Sequence, residues 1–497
     1  MTSHREGGPA ERSVVIHAHF YQPPREEPWL EEVEREPTAA PFHDWNERID
    51  KECYRAVVAA RIPAADGRIA RVVNTLEHIS FNVGPTLADW LETEARDTWR
   101  AILAADHASR SRLGGHGNAL AMPYHHVIMP LATRRDKTTE VRWGIADFRR
   151  RFGREPEGMW LPETAVDDET LDVLASEGIR FTVLAPHQVT APPARGMPGR
   201  YRTKGGREIA LFIYDGALSH DVAFGPLIRD AAAWARRILT TPSAEPGELL
   251  VSMATDGETF GHHHRFGEMA LAAALDRLAR ARHTRLENFA SVLARHPATP
   301  DVELVEPSSW SCSHGVERWR SDCGCRTEEG TSQAWRAPLR HALEWLAGEL
   351  HKRFEREARE YVHDPWAARD NYLAKPASDL SVRLAELLEL ERNALRMFTS
   401  CGWFFNDVGG IESIIDLRYA ARAIELAGTD HDELEEGFRA RLAAALSNDP
   451  AVGSAREAYD QRAKPRFLGH IRAAAGFAAV TELAPDSIRA AIGVYRV

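Results

Sequence analysis

The sequence predicts an α/β protein: a β/α barrel followed by an all-α helical-bundle domain. Three observations lead there. Short apolar runs alternate with helical patterns from residue 13 to about residue 310. Polar residues gather just after those runs, at His19, His116, Glu163, Asp215 and Asp256. Beyond about residue 330 the strand signal stops and helical stripes continue. Strand–helix alternation implies parallel strands joined by crossover helices. Barrels collect functional groups at the C-terminal ends of their strands. An open doubly wound sheet does so too, but no Gly-rich phosphate loop is present to favour it.

In chain order, residues 1–12 form a polar tail expected to be disordered, 13–325 the barrel and 326–497 the helical domain. Segments 13–19, 179–185, 209–214 and 249–254 are short, apolar and bounded by turn residues, which predicts buried strands. Between them Val141, Ile145, Phe148 and Phe152 fall at i, i+4, i+7 and i+11, giving one apolar helix face. Asp167 is placed to cap a second helix, with Asp168 and Glu169 in its positively polarised first turn. Later, Trp335, Leu339, Leu343, Leu346, Leu350 and Phe354 make one stripe. Leu380, Leu384, Leu387, Leu388, Leu395 and Phe398 make another, and helices are expected through 411–426 and 434–446.

The 497 residues exceed a single small domain, and 44% hydrophobic with 27% charged residues describes an ordinary globular chain. A net charge of −11 without a basic arm argues against nucleic acid. The Arg134-Arg135 and Arg149-Arg150-Arg151 runs read as solvated helix faces. No apolar run is long enough to span a bilayer, and Met1–Arg12 lacks an apolar signal core, so neither membrane nor secretion is expected. Five cysteines cannot all pair within the chain, which suits a reducing cytoplasm. The oligomeric state is left open.

Two stretches carry the chemistry. Gly158-Met159-Trp160-Leu161-Pro162-Glu163 and Ala254-Thr255-Asp256-Gly257-Glu258 each set a carboxylate at the end of an apolar run. Cleaving a glycosidic bond needs such a pair: one carboxylate to attack the sugar, one carboxylic acid to protonate the leaving oxygen. His19 and Gln22, in His19-Phe20-Tyr21-Gln22-Pro23, offer neutral groups that grip hydroxyls. His116, among the glycines of 114–117, sits where the backbone can approach a ligand closely. Trp160 offers a flat face for a pyranose ring. His262-His263-His264 matches no zinc spacing, and neighbouring histidines on an extended chain alternate sides. Cys312, His314, Cys323 and Cys325 leave two readings open, structural zinc or a substrate loop with reduced thiols.

These residues resemble glycoside hydrolase family 57. Trp160-Leu161-Pro162-Glu163 is similar to the family's nucleophile region, and Asp256-Gly257-Glu258-Thr259-Phe260-Gly261-His262 to its acid/base region. His19-Phe20-Tyr21-Gln22-Pro23 matches its first region except that Tyr21 stands for a second histidine. Gly115-His116-Gly117-Asn118 matches the second region loosely. The resemblance spans about residues 13–315. It implies an incomplete, seven-stranded barrel, α-glucan or maltooligosaccharide substrates, and retention of configuration without a cofactor or metal. Glu163 would be the nucleophile and Asp256 the general acid/base, with carboxyls about 5–5.5 Å apart. His19, Gln22, His116, Trp160, Glu258, His262, Trp310, His314, Trp403 and Asp407 would hold substrate. Trp403 and Asp407 belong to Cys401-Gly402-Trp403-Phe404-Phe405-Asn406-Asp407, whose three adjacent aromatics cannot share one helix face. Two alternatives stand beside this: a metal-dependent, deacetylase-like or mannosidase-like hydrolase, and a glucan-binding protein with weak or no turnover.

Overall fold

The computed structural model describes residues 11–496 except 30, 65, 244, 375–379, 430, 465–473, 476–477, 479–490 and 493–494. The expected tail therefore lies outside the described residues apart from Glu11 and Arg12. The chain divides into two compact units. The first comprises residues up to 22, 36–124 and 144–310; the second comprises 23–35, 125–143 and 311–497. The single boundary expected at 325/326 is thus replaced by one at 310/311, and two early segments join the later unit.

In the first unit the strands are β1 (Arg12–Phe20), β2 (Ala60–Pro63), β3 (Ile69–Val73), β4 (Ser80–Val83), β5 (Ala119–Leu120), β6 (Phe181–Leu184), β7 (Gly199–Arg202), β8 (Glu208–Ile213), β9 (Leu249–Asp256) and β10 (Thr284–Leu286). β1 pairs in parallel with β9 from Arg12↔Leu249 to His19↔Asp256, and over its C-terminal half with β4. β4 pairs with β5; single bridges Ala121↔Met159 and Gly158↔Phe181 then lead through residues 158–159 to β6, which pairs with β8. The Asp215 amide donates to the Ser252 carbonyl at 2.8 Å, joining the end of β8 to β9. Among the described residues, β1, β4, β5, the 158–159 segment, β6, β8 and β9 therefore make an incomplete barrel of seven parallel strands. β10 extends the sheet beside the start of β1, β7 runs antiparallel to β8, and β2–β3 is a separate hairpin.

The barrel interior mixes apolar and polar layers. Val15, Leu120, Trp160, Phe181, Val183, Phe212, Leu250 and Phe289 are buried in one cluster. Above it runs a buried polar chain: His17 contacts Ser80 and Asn82 at 3.1 Å each, and Ser80 donates to the Asn118 carbonyl at 3.3 Å. Buried polar groups are tolerated where they satisfy one another. The helix predicted after Asp167 spans Asp168–Ser176, and the Asp167 side chain accepts from the Thr170 amide as a cap should.

The second unit is helical, with Arg336–Ala358, Val382–Arg396, Ile411–Leu426 and His431–Leu442 as its long elements. The predicted stripe Trp335, Leu339, Leu343, Leu346, Leu350 and Phe354 is buried throughout. A charged cluster is buried with it: Arg369 meets Glu391 at 2.7 Å and Asp136 at 2.9 Å, and His351 meets Glu391 at 2.9 Å. Asp136 comes from the early segment 125–143, and Arg396 reaches Glu26 of segment 23–35 at 3.1 Å. These long-range pairs draw both early segments into the helical unit.

Candidate active site

Strand register assembles the site. His19 is in register with Asn82 on one side and Asp256 on the other, at the C-terminal end of the barrel. Three polar side chains from three strands thus share one level on the inward face. After Asp256 the chain must turn directly over Phe20: a side chain at Gly257 would lie 2.1 Å from the Phe20 ring. That close approach is the physical reason for glycine between the two acids.

Glu163 sits in the short turn Pro162–Thr164 after the 158–159 segment. Its φ is +56° and that of Thr164 is +47°. Consecutive left-handed conformations at a glutamate and a β-branched threonine cost free energy, on the order of 1–3 kcal/mol each, unless the surroundings impose them. Here they do. Thr164 Oγ1 donates to Gln188 Oε1 and Gln188 Nε2 donates to the Thr164 carbonyl, both at 2.8 Å. Val166 and Ser308 exchange backbone hydrogen bonds, and the Trp310 amide donates to the Glu163 carbonyl at 3.0 Å. The Glu163 carboxylate itself accepts from the Trp310 indole at 3.0 Å.

Asp256 is half-buried. Its pKa stands well above the ordinary aspartate value, first because burial strips solvation from the anion, then because Glu258 and Glu163 place negative charge nearby. Among the described residues no donor hydrogen-bonds its carboxyl. Glu258, two residues on, is fully enclosed. Burial pushes its carboxyl up to about 7, against the pull of hydrogen bonds from the Tyr54 hydroxyl at 2.6 Å, the Tyr21 amide at 3.4 Å and Gln22. Expected to hold substrate, Glu258 instead clamps the Tyr21-Gln22 end of β1, and Gln22 bonds both Glu258 and Tyr54.

His19 Nδ1 lies 3.0 Å from Asn82 Nδ2 and 3.2 Å from Asn82 Oδ1, so the Asn82 amide anchors this edge of the ring. Burial lowers its pKa to about 4, and that of His17 to about 3, so both rings are neutral at ordinary pH. Tyr21 stacks on His19, centroids 5.9 Å apart and planes 10° from parallel.

Several expected ligands are engaged by other protein groups. Trp160 is fully buried, stacked on His17 at 4.4 Å and on His19 at 5.5 Å, so protein rings already cover the face expected to meet a sugar. Trp310, edge-on to Trp160 at 5.2 Å, is half-exposed, as is Tyr21. His116 precedes β5 rather than following a strand. It pairs with Glu157 at 2.9 Å at the N-terminal end of the barrel, opposite to His19 and Asp256. His262 pairs with Glu52 at 2.5 Å and His264 with the Ala223 carbonyl at 2.7 Å, so the trio is shared among different partners. Trp403 is fully buried in the helical unit, its indole donating to the Arg336 carbonyl at 3.2 Å, which removes it from any sugar. Asp407 accepts from the Gly409 amide, the Ser447 hydroxyl and the Asn448 amide, holding a turn of the same unit. His314 lies with three cysteines in that unit. Sequence reasoning missed Asn82, Tyr54 and Gln188; their signal was a polar residue inside an apolar run or a lone residue on a turn, with nothing local to mark a role.

Residues 115–302 match the model of glycosyl hydrolase family 57, and residues 332–497 match a domain of unknown function, DUF3536. The first match includes Glu163 and Asp256 and leaves out His19–Pro23. An exo-type maltose-forming amylase from Pyrococcus sp. ST04 aligns at 16% identity over 95% of this chain and 94% of its own, TM-score 0.69. A 4-α-glucanotransferase from Thermococcus litoralis aligns at 15% over 84% of this chain and 60% of its own, TM-score 0.54. A branching enzyme from Thermococcus kodakaraensis aligns at 15% over 93% and 96%, TM-score 0.54. At such identities the likeness is one of fold. No protein of curated function matches the sequence.

Proposed function

We propose that this chain, whose residues 115–302 belong to glycosyl hydrolase family 57, is a retaining glycoside hydrolase or transglycosylase of α-glucans. One observation carries the reading: a carboxylate oriented by an indole, in the turn after residues 158–159, and a second carboxyl at the end of β9 whose proton affinity is raised by burial, by Glu258 and by that same carboxylate's charge. This is the division of roles that double displacement requires.

In the first step a Glu163 oxygen attacks the anomeric carbon. The glycosidic C–O bond breaks as Asp256 gives its proton to the leaving oxygen, and the sugar is left esterified to Glu163. Once Glu163 is esterified its charge is gone, so Asp256, now a carboxylate, is left with Glu258 as neighbouring anion. It then takes the proton from an incoming water or sugar hydroxyl, whose oxygen displaces Glu163. The neutral His19 imidazole meets a substrate hydroxyl, and the half-exposed Trp310 packs on a ring. Water as acceptor makes a hydrolase and a glucan hydroxyl a transferase.

The test is product analysis with amylose, glycogen and maltooligosaccharides. Reducing ends released as the α-anomer mark retaining hydrolysis; redistributed chain lengths mark transfer. A folded protein that leaves every one of these substrates unchanged, or that releases the β-anomer first, would overturn the reading.

A further inference from the structure

Within the helical unit, Cys312, His314, Cys323 and Cys325 bring one ligand atom each within 4.8 Å of one another. Cys312 Sγ lies 3.9 Å from Cys323 Sγ and 3.8 Å from Cys325 Sγ, and Cys325 Sγ lies 3.7 Å from His314 Nδ1. These spacings choose between chemistries. A disulfide requires sulfurs about 2.05 Å apart, so no pair here is bonded. Ligands at about 2.3 Å (sulfur) and about 2.05 Å (nitrogen) from a tetrahedral zinc stand about 3.8 Å apart between sulfurs and about 3.6 Å between sulfur and nitrogen. Those three separations, 3.9, 3.8 and 3.7 Å, match edges of that tetrahedron, and all four ligand atoms lie within 4.8 Å of one another.

We propose that Cys312, His314, Cys323 and Cys325 form a structural zinc site of the Cys₃His class. Four protein ligands fill a tetrahedral shell and leave no position for water, which separates a structural site from a catalytic one. The backbone is shaped for it. Gly324, with φ +82° and open space where a side chain would stand, turns the chain between Cys323 and Cys325 so that both sulfurs approach Cys312. Across the loop, the Gly315 amide donates to the Cys312 carbonyl at 3.2 Å, closing the other ligand turn.

A second observation is independent of the sulfur distances. Arg336 and Arg318 are buried, and Arg336 donates to the Cys325 carbonyl at 2.8 Å while Arg318 donates to the Ser311 carbonyl at 3.1 Å. Among the described residues neither guanidinium has a carboxylate within salt-bridge distance, and the Nε of each is buried without a hydrogen-bond partner. Buried cations are unfavourable without a compensating anion. Three thiolates around one Zn²⁺ carry a net charge of −1 and supply it. Each thiol gives up its proton on binding, so three protons leave as one zinc enters.

The experiment uses the full-length protein, expressed with zinc and desalted, and reads bound metal by elemental analysis alongside reduced-thiol count and intact mass. The expected result is about one zinc per chain, released when an organomercurial titrates the thiols. Replacement by Co²⁺ should give the intense d–d and thiolate charge-transfer absorption of a tetrahedral sulfur-rich site. His314→Ala should weaken zinc binding at least about tenfold, and Cys323→Ser with Cys325→Ser should abolish it. Should those variants not fold, the wild-type metal content and cobalt spectrum decide. Folded wild type with reduced thiols and no bound zinc, a mass lower by one disulfide, or unchanged zinc in both variants would each overturn the site. None of these readouts depends on glycosidic activity.

Discussion

Trp310 holds Glu163 twice, through its amide to the Glu163 carbonyl and through its indole to a carboxylate oxygen, both at 3.0 Å. The same residue thus braces a strained turn and aims the group that the turn presents. Trp310→Phe keeps the ring and the backbone bond but removes the indole donor. A hydrogen bond to a charged group is worth about 1.5–3 kcal/mol. If it aims the attack, kcat should fall by roughly 10- to 100-fold with little change in melting temperature. Unchanged kinetics would remove the indole from the mechanism.

Glu163→Gln should reduce turnover to background while the fold and glucan binding persist, because the amide is nearly the same shape but cannot attack. Asp256→Asn should lose about 10²–10⁴-fold on natural glucans and far less on aryl glycosides whose leaving groups need no proton. Equal losses on both substrate types would deny Asp256 the acid role.

The two carboxyls are also coupled through charge. Glu163 is one of two anions that raise Asp256, so in Glu163→Gln the Asp256 titration should move to lower pH. It should stay above the ordinary aspartate value of 3.8, since burial and Glu258 still act. Carboxyl-labelled NMR titration reads this directly, and an unmoved midpoint would mean the carboxyls do not sense each other.

A raised pKa is a stability statement as well. Folded Asp256 keeps a proton that the unfolded chain releases once the pH passes about 3.8. Stability is therefore lost as pH rises from there to the raised native value. Asp256→Asn should accordingly raise the melting temperature at neutral pH, and the gain should vanish near pH 3. A gain independent of pH would point to packing instead.

Trp403→Ala addresses the helical unit. Its side chain is fully enclosed, stacked with Phe398 at 6.4 Å and hydrogen-bonded to Arg336. Truncation should cost about 3–5 kcal/mol of stability. The contrary outcome, unchanged stability with a selective loss on long glucans, is what a sugar-binding surface would give.

The sequence by itself determined the alternation of strands and helices, the helical stripes after residue 330 and the two carboxylates at strand ends. Each is written in periodicity or in a short motif, so neighbours along the chain carry the signal. It did not reveal β4, because Ser80 and Asn82 face a polar barrel interior and break the apolar pattern, or β5, which is two residues long. Only the tertiary structure decided which end of the barrel a polar residue occupies. His116 reads like a residue after a strand, yet it precedes β5 and pairs with Glu157. Only packing decided which aromatics keep an open face, since Trp160 is covered by histidines of β1 and Trp403 by the helices around it. Proton affinity belongs to the same class: the anions beside Asp256 include one from a distant turn. Local sequence encodes which side of an element is apolar; solvation and charge at a site are sums over residues that meet only when the chain has folded.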